Sequence, residues 1–126
     1  MIGLYLLTTC LLENLKTVKF GMSMRIEYRW IDYLSIFNDS KYIYYYEFLD
    51  NLTRPQILEI EDMIIQLYKK DRNYLFQTEY FYCSDYLEFH KTIVNILNSL
   101  KINYKIHDTH NFTREYYDNK PELPLK

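Results

Sequence analysis

A chain of 126 residues has room for one hydrophobic core and not for two. Its formal charge of −2 excludes a protein held on nucleic acid by a broad basic surface alone, so such a target would need a locally basic cleft or a partner. Fifteen tyrosines dominate the aromatic content; with Asn, Ile and Lys they are residues of AT-rich codons, so clusters such as Tyr44-Tyr45-Tyr46 are discounted as binding signals.

The first predicted elements are two short apolar runs, Gly3 to Thr9 and Val18 to Ser23, separated by a polar break at Glu13-Asn14. They are partly β-branched or aromatic and read as adjacent antiparallel strands. Gly21 marks a turn with positive φ or a close approach of two backbones. The run from Met24 onward has helical spacing, with Ile26, Trp30, Tyr33 and Phe37 on one face and Arg25, Arg29 and Asp32 on another. The N-terminus is apolar but lacks a basic leader and is broken by Glu13. No run approaches the ~18 apolar residues of a membrane span, so the expectation is a soluble intracellular protein, cytoplasmic or nuclear, with no membrane partner. Cys10 and Cys83 have no metal-site spacing and read as small buried thiols in a reducing compartment.

Ser40 to Asp50 is rich in β-formers and free of Gly and Pro, which predicts a third strand. Thr53 with Gln56 forms a capping-box pattern, and Pro55 falls in the first turn of the helix that follows. In that helix Ile57, Ile60, Ile64, Leu67 and Tyr68 make an apolar stripe, while Glu59, Asp62, Gln66, Lys69 and Lys70 lie opposite. Glu61 falls inside the apolar arc. A carboxylate there costs several kcal/mol unless it is paired or bound to a cation. Two readings stay open for it: a buried ion pair or hydrogen bond, and a divalent-metal ligand.

Tyr74 to Ser84 reads as a hydrophobic strand packed on the core. A third helix spans about Asp85 to Leu100, with Asp85 and Glu88 at its cap, Leu87, His90, Val94 and Leu97 on one face and Phe89, Ile93, Ile96 and Leu100 alongside. His90 reads as a structural histidine. Asn103 to Thr109 reads as a short final strand, and His107-x-x-His110 does not make a zinc site.

Gly3-Leu4-Tyr5, then Lys19-Phe20-Gly21, then Arg29 eight residues on, resembles the GIY-YIG nuclease family, in particular its small branch with K-I-G in place of Y-I-G. Thr78-Glu79-Tyr80-Phe81 resembles the N/T-E-W-F element of that branch, with Tyr80 in place of Trp. The likeness runs from Ile2 to about Leu97. It departs from the wider family at Lys19, where a tyrosine is common, and at Tyr33, near where many members have a histidine.

The resemblance implies an α+β fold: a small antiparallel three-stranded sheet flanked by helices, in a single domain over residues 1–110, followed by a C-terminal arm or disordered tail over 111–126. It implies a metal-dependent endonuclease, of the sort carried by viruses or mobile elements. Its substrate would be a phosphodiester in nucleic acid, DNA ahead of RNA. Tyr5 would be the general base, its phenol, near pKa ~10 when free, lowered by Lys19. Arg29 and Lys19 would stabilise charge on the phosphate. Glu61, with Glu59 as runner-up, would hold Mg2+ or Mn2+. Arg25 would contact a neighbouring phosphate, and Tyr33 and Glu79 would orient a catalytic group from behind. Cutting both strands with one site per chain makes a homodimer the expected assembly. The alternative is a catalytically inactive module binding nucleic acid or protein through the same cleft, with tyrosines stacking on bases. In a nuclease, Tyr5, Lys19, Arg29 and Glu61 should converge on one open cleft.

Overall fold

A continuous apolar run at the N-terminus forms the centre of a sheet. The computed structural model describes residues 2–25, 40–73 and 79–107. Strand β1 (Gly3–Thr9) leads through a one-turn helix, α1 (Cys10–Asn14), into β2 (Thr17–Ser23). The Thr9 hydroxyl caps α1 by accepting from the Leu12 N–H at 3.0 Å. Then come β3 (Ser40–Phe48), α2 (Arg54–Leu67), a 3-10 turn (Lys69–Asp71), β4 (Tyr80–Tyr82), α3 (Tyr86–Ser99) and β5 (Tyr104–His107).

Among the described residues the sheet has five strands, in the order β4-β2-β1-β3-β5, and every neighbouring pair is antiparallel. This corrects the expectation of a three-stranded sheet. A sheet ending at β2 and β3 would leave two rows of unpaired N–H and C=O groups. Instead β4 covers Thr17–Lys19 and β5 covers Tyr45–Phe48. Both added strands fall in runs that the sequence reads as strands, Tyr74 to Ser84 and Asn103 to Thr109; their pairing onto this sheet is long-range and no single run shows it. The architecture remains α+β.

Directly paired residues share a face of the sheet. Leu4, Leu6, Val18, Phe20, Tyr46, Phe48 and Phe81 point to one side, where Ile57, Ile60 and Ile64 of α2 and Phe89, Ile93 and Leu97 of α3 pack on them. Each such side chain removed from water stabilises the fold by roughly 1.5–3 kcal/mol. Phe89 joins the layers: its ring lies 4.0 Å from Tyr68, nearly parallel, and 5.3 Å from Phe20. Leu67, placed in the stripe by periodicity, is exposed near the helix end. All seven residues of β1 are buried, so the other face of the sheet centre is also removed from water.

The predicted caps hold. The Thr53 N–H donates to Gln56 Oε1 at 2.8 Å, and the Gln56 N–H returns to the Thr53 hydroxyl, with Pro55 in the first turn. Asp85 caps α3 through the Leu87 N–H. Among the described residues, three other than glycine turn the chain in the left-handed region: Lys16, Glu79 and Lys101. Among the described residues no helix is long and apolar enough to cross a membrane.

His90 is structural, as the sequence predicts. Its ring stacks on Tyr44, and Nδ1 lies 2.7 Å from the Tyr46 hydroxyl. Burial pushes the Tyr46 phenol well above its ordinary range, so the hydroxyl keeps its proton. Burial also holds His90 below the usual imidazole range. The unfolded chain therefore takes up this proton first on acidification. The stability from neutral His90 is complete above the unfolded value of about 6.5 and is lost as pH falls through the folded value. The melting temperature should decline between pH 7.5 and 5, and His90→Gln should flatten that slope in calorimetry.

Candidate active site

The register of the sheet decides which motif residues meet. Tyr5 on β1 stands opposite Gly21 on β2, and Lys19, two residues earlier on β2, shares that face. Glu79 comes immediately before β4, whose first residue pairs with Lys19. Its carbonyl accepts from the Phe20 N–H at 2.8 Å, which fixes the backbone beside Gly21. With φ at 83°, Glu79 is in a conformation that side chains other than those of Gly and Asn adopt rarely, and such strain concentrates at functional positions.

That backbone sets the Glu79 carboxylate over Gly21. The Tyr5 hydroxyl donates to Glu79 Oε2 at 2.8 Å, and Lys19 Nζ lies 3.8 Å from the same oxygen. Lys19 also sits over the Tyr80 ring at 5.2 Å, a cation–π contact. A Cβ at position 21 would come within 2.5 Å of Glu79 Oε1 and 2.7 Å of the Tyr5 hydroxyl. Of the two roles open to Gly21, the structure has the close approach: the residue lies inside β2, and neither glycine has positive φ. Tyr5 is wholly buried, whereas the Lys19 and Glu79 side chains keep 14% and 27% of their exposure. Solvent thus reaches the group through Glu79.

Glu61 approaches from α2. Strand β4 begins at Tyr80, opposite Lys19, and the Met22 N–H points to the same edge of β2 as the Phe20 N–H two residues earlier. Glu61, half-buried, accepts from the Met22 N–H. Burial pushes its carboxyl above the usual carboxylate range; the Met22 bond opposes this, and the charges of Glu79 and Asp62 add to it. Of the two readings for an inward Glu61, the hydrogen bond to a strand is present. No ion pair with arginine or lysine is found for it among the described residues. Glu59, the runner-up, is exposed.

Tyr5, Lys19 and Glu79 are therefore brought together, with Glu61 within electrostatic reach of Glu79. Arg25 is exposed just past β2, with no helix begun at that point; its N–H donates to the Ser23 hydroxyl at 3.1 Å. Arg29 and Tyr33, the helix expected to carry them, Thr78, His110 and the tail over 111–126 lie outside the described residues. An open concavity of about 640 Å³ lies elsewhere, where Lys16, Tyr82, Cys83 and Glu88 line it, and it contains none of the predicted site residues. Among the described residues no three His, Cys, Asp or Glu side chains are grouped to hold a metal ion. His107 is paired with Glu47 at 2.9 Å across β3 and β5.

Sequence reasoning gave Glu79 a supporting role, yet it is the centre of the cluster. The signal that locates it is the pair Gly21 and Glu79 taken together: a strand glycine leaves a gap, and a carboxylate fills it. Compared with known proteins, the chain matches no family model, no curated protein and no solved structure.

Proposed function

We propose that the protein is a metal-dependent endonuclease that hydrolyses phosphodiesters in nucleic acid, DNA in the first instance. One observation carries this reading: a phenol and an ammonium from adjacent strands converge on one carboxylate over a glycine. Tyr5 would take a proton from the attacking water. Lys19 would steady negative charge beside it, and Arg29 would bind the scissile phosphate. Arg25, exposed at the end of the strand that carries Lys19, would hold a neighbouring phosphate.

The donor set suits a hard cation. Mg2+ takes one or two carboxylates and completes its shell with water and substrate oxygens, and Glu61 offers a half-buried carboxylate whose charge is disfavoured chiefly by burial and further by Glu79. Bound at Glu61, the ion would supply positive charge to the phosphorane and the leaving oxygen. Cutting both strands calls for two copies of the chain or two visits. The reading puts the enzyme's work inside the cell, with its substrate.

A catalytically inactive binding module on the same fold is favoured by one fact, the complete burial of Tyr5. Cleavage of supercoiled plasmid with Mg2+ or Mn2+ separates the two. The wild type should nick and linearise it, and Tyr5→Phe and Arg29→Ala should each slow cutting about 10²-fold or more. Wild type that leaves plasmid intact, or variants that match it, would sink the enzyme reading.

A further inference from the structure

We propose that the proton taken from the attacking water ends on Glu79, with Tyr5 passing it on. This rests on the hydrolase reading above and specifies its base. A phenol whose proton is already donated to a carboxylate 2.8 Å away cannot take a second one unless the first moves along that bond. Glu79 Oε2 is the acceptor in place. In the step, the water oxygen bonds to phosphorus while its proton passes to Tyr5 Oη. The Tyr5 proton passes to Glu79 Oε2 in the same motion. The bond from phosphorus to the leaving sugar oxygen breaks, and that oxygen takes a proton from solvent. Glu79, which keeps about a quarter of its exposure (27%), then returns its proton to solvent.

Three features hold Glu79 to this task. The left-handed backbone and the Phe20 N–H fix where its side chain starts. Gly21 leaves the space that the carboxylate fills. Lys19 Nζ stands 3.8 Å from the oxygen that bonds Tyr5. Among the described residues, the charged and titratable groups around Glu79 include Tyr5 from β1, Lys19 from β2, Tyr80 from β4 and Glu61 from α2. A carboxylate serving only to hold Tyr5 would have no need of a path to water.

The test uses Glu79→Gln and Glu79→Gly in the full chain with plasmid DNA and Mg2+. Glutamine still accepts from the Tyr5 hydroxyl but takes up no proton. Its kcat should fall about 10²-fold, matching Tyr5→Phe, with KM unchanged. Glycine suits the left-handed backbone, keeping a folded protein in hand should the glutamine variant misfold. Its cleavage should fall as far and recover at least tenfold on adding formate or acetate, which can enter the space left over Gly21. Glu79→Gln cutting within threefold of wild type, or Glu79→Gly unmoved by either carboxylate, would overturn the relay and leave the nuclease reading intact. A wild type that cuts nothing would overturn both.

Discussion

Gly3→Ala is expected to lower the melting temperature by more than about 10 °C. The added Cβ would land on the carbonyl oxygen of Tyr46 and lie 3.1 Å from the Glu47 Cα, both backbone atoms of β3. Backbone in a central strand pair cannot rotate aside as a side chain can, so β1 and β3 must part over several residues. Overpacking of this kind costs about 3 kcal/mol or more, a large share of the 5–15 kcal/mol that keeps a domain folded. Gly21→Ala should behave differently. Its Cβ meets only the ends of two side chains, Glu79 and Tyr5. That variant should fold with a far smaller loss while losing cleavage, because the carboxylate is pushed off the phenol. Circular dichroism melts of both variants check the contrast; similar melting temperatures for the two would show that the backbone of β3 yields more easily than its pairing implies.

Glu61→Gln is expected to reduce Mg2+-dependent cleavage about 10³-fold and to erase any stabilisation by the ion. Without metal the sign is the reverse of the usual carboxylate case. Glu61's folded carboxyl lies above its unfolded value, chiefly through burial, so folding is weakened as pH rises through the unfolded value to the folded one. At neutral pH and without divalent ions, Glu61→Gln should melt no lower than wild type, and the difference should vanish near pH 4. A ligand at a hundred times its Kd adds about 2.7 kcal/mol to the folded state. Mg2+ should therefore raise the wild-type melting temperature and leave Glu61→Gln unmoved. An equal rise in both proteins would remove Glu61 as the ligand, whatever the cleavage assay showed.

Much of the helical part of the fold was legible in the sequence because its signals are local. Thr53, Pro55 and Gln56 announce the start of α2 by hydrogen bonds within one turn, and the spacing of Ile57, Ile60 and Ile64 turns that helix onto the sheet. The inward placement of Glu61 followed from the same periodicity. The sheet was less legible. The runs that contain β4 and β5 read as strands, but their pairing onto the outer edges of β2 and β3 joins distant parts of the chain, and no single run shows it. The turn α1 is too short to show a period.

The site divides along the same line. Tyr5, Lys19 and Gly21 are set by the register of one strand pair and could be grouped in advance. The centrality of Glu79 could not, since it depends on a left-handed residue and on a gap that only the paired strands reveal. Leu67 shows the limit of periodicity near a helix end: the pattern continues, but nothing remains for it to pack against.

Both glycines of this chain are committed to β1 and β2, and that leaves none for turning corners. The bends at Lys16 and Lys101 are made instead by lysines in a conformation that costs roughly 1–2 kcal/mol each for an L-residue with a side chain. Glu79 carries the same burden, but there it positions a carboxylate, whereas the two lysines close loops far from Tyr5. The protein thus keeps unused thermal headroom at two surface corners, open to engineering without disturbing the carboxylate–phenol pair.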